Sequence, residues 1–187
     1  MQKSLVIAFI LIFFGTKLGA ESFGNNAVTI PKVGAAFFDN PLSLNTKPWG
    51  LSHQWTFSTS YMHALDYRWW WLVDTGFAIG SLSKNQQSHL SAFMGGTGIR
   101  FNILQHDFRP HLGLLVHYVQ FFGEATRFLP LDLGWPIFVG LKLYGGLEYF
   151  FGSEMSALVE GAYGNYININ EPFRHIYFAS ASLALYF

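Results

Sequence analysis

The chain has 187 residues, 51% hydrophobic and 19% aromatic but only 12% charged, about half the charged share of an ordinary soluble domain. Its 11 basic and 11 acidic residues leave no basic stripe of the kind a phosphate backbone requires, which excludes nucleic acid as a partner. Cysteine is absent, so disulfides, thiolate metal sites and lipidated cysteines are excluded, and an exported chain must take its rigidity from its hydrogen-bonded frame.

Residues 1–20 read as a cleaved secretory signal peptide. Lys3 gives the positive end, Leu5 to Phe14 the apolar core, and Leu18-Gly19-Ala20 precedes a cut ahead of Glu21, with Leu18 bulkier than usual there. The core is far shorter than the roughly 20 residues a helix needs to cross a bilayer, so cleavage is expected rather than anchorage. Removing Lys3 and Lys17 takes the 11 basic residues to nine against 11 acidic ones, a formal charge of −2. The richest later segment, His111 to Gly123, contains His117 and Gln120 and is too short for a helical span. Residues 21–187 are read as one domain.

Within that domain, period-two alternation is broken repeatedly by turn formers, the mark of strands. Thr29 to Phe38 sets Val33, Ala35 and Phe37 against Lys32, Gly34 and Ala36, with Pro31 tolerable only near the beginning of the strand, where no ladder bond is required of it. Leu51 to Met62 alternates Trp55, Phe57, Thr59 and Tyr61 with Gln54, Thr56, Ser58 and Ser60. Tyr67 to Gly80 opposes Trp69, Trp71, Val73, Phe77 and Ile79 to Arg68, Trp70, Asp74, Gly76 and Ala78. In Leu90 to Asn102, Phe93, Thr97, Ile99 and Phe101 oppose Met94, Gly96, Gly98 and Arg100, and the glycines let a strand coil tightly. Arg109 to Phe122 sets Leu112, Leu114, Val116 and Tyr118 against His111, Gly113, Leu115 and His117. Ile137 to Tyr149 separates its leucines from Lys142, Tyr144, Gly146 and Glu148, and Glu154 to Tyr166 separates Met155, Ala157, Val159 and Tyr163 from Glu154, Ser156, Glu160 and Gly164. The last run, Ile176 to Phe187, has Tyr177, Ala179, Ala181, Leu183, Leu185 and Phe187 on its apolar face and Ser180, Ser182 and Ala184 on the other.

These are eight runs whose connections alternate long and short. That pattern predicts an all-β fold, an eight-stranded antiparallel up-and-down transmembrane barrel with outer loops at 39–50, 81–89, 123–136 and 167–175. Closure leaves no strand edge in lipid. The ending at Leu185 and Phe187 resembles that of bacterial outer-membrane barrels, whose last strand closes on Phe with hydrophobic residues two places apart; Ser182 stands where that family has Gly. The resemblance runs from about Thr29 to Phe187 and is similar to the small eight-stranded class. It implies a bacterial outer-membrane location among lipids and lipopolysaccharide. It also implies that Leu185 and Phe187 carry the signal read by the barrel-assembly machinery.

Parity turns Lys32, Arg68, Arg100 and Lys142 inward with Asp74, Glu148, Glu154 and Glu160. An eight-stranded barrel is only wide enough to be filled by its own side chains, so these charges are expected to pair into a plug. A narrow polar path using Asp74, Lys142, Glu160 and His117 is the competing reading. The aromatics are expected in two interfacial belts, with Trp55, Tyr61, Trp69, Trp71, Phe101, Tyr149 and Phe187 mainly on the short-turn side and Phe37, Phe77, Phe93, Tyr118 and Tyr163 nearer the loops. Trp49 and Trp135 in outer loops are candidates for stacking a ligand.

Enzymatic motifs fare poorly. The lipid A deacylase family carries His-x-Ser-Asn with a downstream Glu; His89-Leu90-Ser91 is followed by Ala92, so the constellation that would activate Ser91 is incomplete. The palmitoyltransferase family of similar size finds no Asp-Ser pair here. His106 and His111 lack a third ligand at zinc spacing, and no glycine-rich loop joins a strand to a helix for a nucleotide. No cofactor and no metal is therefore expected. The function expected from the residues is a structural or interaction barrel whose outer loops meet a surface partner. The alternatives are a narrow channel or lateral conduit for small hydrophobic molecules bordered by Leu115, Val119 and Trp135, and a lipid A-modifying enzyme.

Overall fold

A computed structural model describes residues 24–39, 51–81, 89–123, 126, 137–167 and 175–187. The expected signal peptide and most of the four expected outer loops, with Trp49 and Trp135, lie outside the described residues. The eight strands are β1 (Asn26–Asp39), β2 (Leu51–Ala64), β3 (Trp69–Ser81), β4 (His89–Asn102), β5 (Phe108–Phe122), β6 (Ile137–Phe150), β7 (Met155–Ile167) and β8 (His175–Tyr186). They form a closed barrel in chain order, and every neighbouring pair, including β1 with β8, is antiparallel. Each strand lies within three residues of its expected bounds.

Closure is made by main chain at the very end of the protein. Asn26 N–H donates to the Phe187 carbonyl at 3.0 Å and Phe187 N–H to the Asn26 carbonyl at 2.9 Å, and the pairing continues to Phe38 opposite Ile176. Backbone in hydrocarbon has no water to bond, so only a ring without edges is tolerable there. Outside the ring, alternate residues present an apolar surface: Trp55, Leu141 and Val159 are 58%, 55% and 64% exposed. An exterior of this extent and continuity is a surface for lipid rather than for water.

Pro31 does not sit at the beginning of its strand. It lies at a β-bulge, where the partners of Ser60 and Ser58 on β2 are Thr29 and Lys32, three positions apart against two; the register to β8 shifts over the same stretch. A bulge is where a residue without N–H fits inside a sheet. The interrupted ladder is repaired by two hydroxyls. Ser60 N–H donates to Thr29 Oγ1 at 2.8 Å, and Thr59 Oγ1 donates to the Thr29 carbonyl at 2.7 Å. The extra residue also resets parity, so that Thr29 and Lys32 both point into the lumen while Ile30 stays outside.

The belts follow the expected sides with one correction. Trp69 packs on Phe101 at 4.7 Å and Tyr61 on Trp71 at 6.3 Å near the short turns, and Phe77, Phe93 and Tyr118 form an edge-to-face row nearer the loops. Trp55, expected on the short-turn side, stands opposite Ile79 in the loop half, because β2 enters from an outer loop and reaches the short turn only at Ala64.

Inside, two apolar clusters face each other along the axis. Leu90, Met94, Phe121, Phe138, Tyr166, Ile176 and Phe178 fill the loop end, and Met62, Trp70, Leu72, Tyr144, Phe150 and Tyr186 the turn end. Lys32, Asp74, Lys142 and Glu160 lie between them, whereas Arg100, Glu148 and Arg109 lie among the turn-end cluster, with Arg100 opposite Trp70 and Arg109 opposite Glu148. The repair at the bulge generates a prediction. Thr29→Val keeps the shape but removes the acceptor of the Ser60 N–H, and the loss is expected to be about 1–3 kcal/mol of unfolding free energy, read from urea titrations in lipid vesicles. Unchanged stability would show that the hydroxyl does not serve the ladder.

Candidate functional site

The charged layer is built by reaching past strands, not along them. Lys32 on β1 forms an ion pair with Glu160 on β7, over the intervening β8. The same carboxylate is met from the other side by His111 Nε2 of β5, 3.1 Å from Glu160 Oε1. Arg100 on β4 pairs with Glu148 on β6, and its Nε donates to Asn102 Oδ1 at 2.8 Å. Glu148 also accepts from the hydroxyls of Ser156 and Tyr186. Across the lumen, Lys142 Nζ on β6 lies 3.4 Å from Asp74 Oδ2 on β3, whose other oxygen accepts from Ser60 Oγ at 2.8 Å. Towards the loop end His117 Nδ1 is 2.6 Å from the Tyr166 hydroxyl.

Glycine makes the reach across strands feasible in so narrow a ring. Gly146 stands opposite both His111 and Glu160, and a Cβ there would lie 2.9 Å from Glu160 Cγ. Gly113 stands opposite both Arg100 and Tyr144, and a Cβ there would be 2.2 Å from the Tyr144 ring. Gly140 likewise separates His117 from Tyr166. A long side chain, a gap and a second long side chain thus recur around the lumen, which is how eight strands hold so many polar groups at interior density.

Seven of the nine residues expected in the lumen network are there: Lys32, Asp74, Arg100, His117, Lys142, Glu148 and Glu160. Arg68 and Glu154 are not. β3 begins at Trp69 and β7 at Met155, so both lie in short turns. Arg68 rests 5.4 Å from the Tyr67 ring centroid and its carbonyl accepts from Asn102 N–H at 2.9 Å; Glu154 is exposed. In their place the structure brings in Arg109, buried with its guanidinium 4.4 Å from the Phe150 ring centroid, together with His111, Ser60, Ser156, Tyr144, Tyr166 and Tyr186. All of these share the inward parity of their strands, and that is the signal that could have found them. Leu185 and Phe187 face outward at 42% and 64% exposure.

Between the ion pairs lies a cavity of about 30 Å³, bordered by Lys32, Asp74, Lys142, Tyr144 and Glu160. Leu115 belongs to the apolar cluster on its turn side and Val119 to the one on its loop side, so the charged layer separates the two residues expected to border a common conduit. His89 is exposed at the start of β4, and Ser91 is partly buried two positions on, on the same outward face. Among the described residues no three His, Asp or Glu side chains are placed to hold a metal ion.

No protein-family model matches the sequence, and no curated protein matches it. Solved structures do. Neisserial surface protein A (NspA) superposes with a TM-score of 0.64 at 16% identity, over 89% of this chain and 100% of its own. The outer membrane protein OprG from Pseudomonas aeruginosa gives 0.58 at 10% identity, over 88% and 97%. Ail, the attachment invasion locus protein of Yersinia pestis, gives 0.51 at 11% identity, over 89% and 100%. The chain has the closed eight-stranded fold of these small bacterial outer-membrane barrels, and at such identities the likeness is one of fold.

The ion pairs make a sharp prediction. Arg100 and Glu148 are 1% and 0% exposed. Removing one partner of such a pair costs about 3–5 kcal/mol, whereas replacing both by uncharged groups is close to neutral. Arg100→Met is therefore expected to destabilise strongly and Arg100→Met with Glu148→Gln to recover most of the loss, measured as unfolding midpoints in urea. Equal losses in the single and double variants would show that the two charges are not coupled.

Proposed function

From a chain with the fold of small outer-membrane barrels, we propose a non-conducting barrel of the bacterial outer membrane whose working surface is its outer loops. The observation that carries this reading is the filling of the lumen: paired and hydrogen-bonded charges interleaved with two clusters of aromatic and aliphatic side chains. An ion crossing it would have to displace Phe121, Phe138 and Phe178 at one end and Trp70, Phe150 and Tyr186 at the other, and apolar constrictions oppose the entry of water. With its interior occupied, such a barrel meets other molecules through its rim and its outer wall. The wall contacts lipid and lipopolysaccharide acyl chains through the apolar belt, and the loops face a surface partner. Assembly through the terminal strand, with Leu185 and Phe187 as its signal, belongs to the same proposal.

The test is electrical. Refolded protein in planar bilayers is expected to give a baseline indistinguishable from protein-free membranes, with insertion verified by the shift in gel mobility between heated and unheated samples. Steady openings of reproducible size would contradict the proposal and favour a narrow channel through the charged layer.

A further inference from the structure

The wall of the cavity between the ion pairs is polar and electrically balanced. Lys32 and Lys142 stand against Asp74 and Glu160, and Arg100, which also borders the space, is paired with Glu148. A ligand of either charge would upset that balance in surroundings where an uncompensated charge is costly. Size sets a second limit: a volume of about 30 Å³ has room for about two waters and for no organic molecule.

Hydrogen bonding sets a third. The Tyr144 hydroxyl, on a residue only 6% exposed, borders the cavity and has no partner among the described residues. Lys142 Nζ lies 3.4 Å from Asp74 Oδ2, well beyond the roughly 2.7–2.9 Å of a hydrogen bond between charged groups, and an ammonium has three hydrogens to place. Tyr144 and Lys142 stand two positions apart on the inward face of β6, so their polar ends reach the same space from one strand. Acceptors are at hand as well. Thr29, Ser60 and Ser180 bring hydroxyl oxygens to the wall, and a carboxylate oxygen that already has one donor keeps a second lone pair. Donors and acceptors both to spare, no net charge and so little room select a small neutral molecule that donates and accepts.

We propose that this cavity is a binding site for internal water, with one molecule bonded to the Tyr144 hydroxyl and to Lys142 Nζ and donating in turn to Asp74. That water completes the long Lys142–Asp74 contact and gives the buried phenol its partner, as a bridging water can do nearly as well as a direct bond. Leu115 on the turn side and Phe178 on the loop side bound the cavity, which sets the site apart from bulk solvent. The site does not depend on the barrel being non-conducting, and its failure would leave that reading untouched.

Crystals of the refolded protein grown in sodium bromide, diffracting well enough to show ordered water, provide the test. Density in the cavity is expected within hydrogen-bond distance of Tyr144 Oη and Lys142 Nζ, with no anomalous signal there at the bromine edge. Tyr144→Phe, which keeps the ring against Gly113, is expected to lose or displace the bonded water. In detergent solution, magnetic relaxation of isotope-labelled water oxygen should show a smaller contribution from long-lived water in the variant than in the parent protein. A cavity without density, or a bromine peak inside it, overturns the proposal. Density undisturbed in Tyr144→Phe, or equal relaxation in the two proteins, contradicts the hydrogen bond on which it rests.

Discussion

The pairing of β1 with β8 is the constraint on which the rest of the structure depends. An open sheet of eight strands would leave two rows of unsatisfied amides and carbonyls in hydrocarbon, and ring closure removes both at once. Once the ring is closed its two faces meet different media. Residues on one parity must be apolar because lipid surrounds them, and the charges carried within the strands have only the lumen left to them. The bulge at Pro31 obeys the same rule in miniature. A proline and an extra residue break the ladder in the wall, and Thr29 and Thr59 supply the missing bonds from their side chains.

A ring of this size is too narrow to be left empty and too narrow to be filled freely. Long polar side chains meet where the strand between them carries a small residue, glycine at Gly113 and Gly146 and serine or alanine along β8. The resulting ion pairs tie strands that do not touch, β1 to β7, β4 to β6 and β3 to β6. Buried pairs are weak evidence for added stability, but they discriminate strongly between registers. A slip of one residue would turn Lys32, Asp74 or Glu148 to the lipid side. The charged pairs are therefore best understood as fixing how the strands meet.

Nearly all of the architecture was legible in the sequence because lipid enforces strict alternation, and the eight runs could be read off without any contact information. Alternation has two blind spots. It does not say where a strand stops, and for that reason Arg68 and Glu154, in phase with their neighbours but lying in turns, read from the sequence as lumen charges. It also says nothing about who meets whom across the ring. The pairing of Lys32 with Glu160 rather than Asp74 depends on barrel shear, whereas Arg109, the first residue of the expected fifth run, shares the inward parity of His111 and was within reach of the pattern. The strand order alone sets the direction of β2 and with it the place of Trp55 near the loops. The glycines opposite long polar residues were visible too, but their meaning required the register.

Accessibility of nitroxide side chains in lipid vesicles tests the central claim most directly. Labels placed one at a time at positions 57, 73, 141 and 159 are expected to collide freely with oxygen, which dissolves in hydrocarbon, and hardly at all with a water-soluble nickel chelate. Labels at the inward serine positions 58, 180 and 182 should be shielded from both. High nickel accessibility at the first set, or oxygen accessibility that rises at the second, would contradict a closed barrel with its apolar parity in lipid and its charges on the axis.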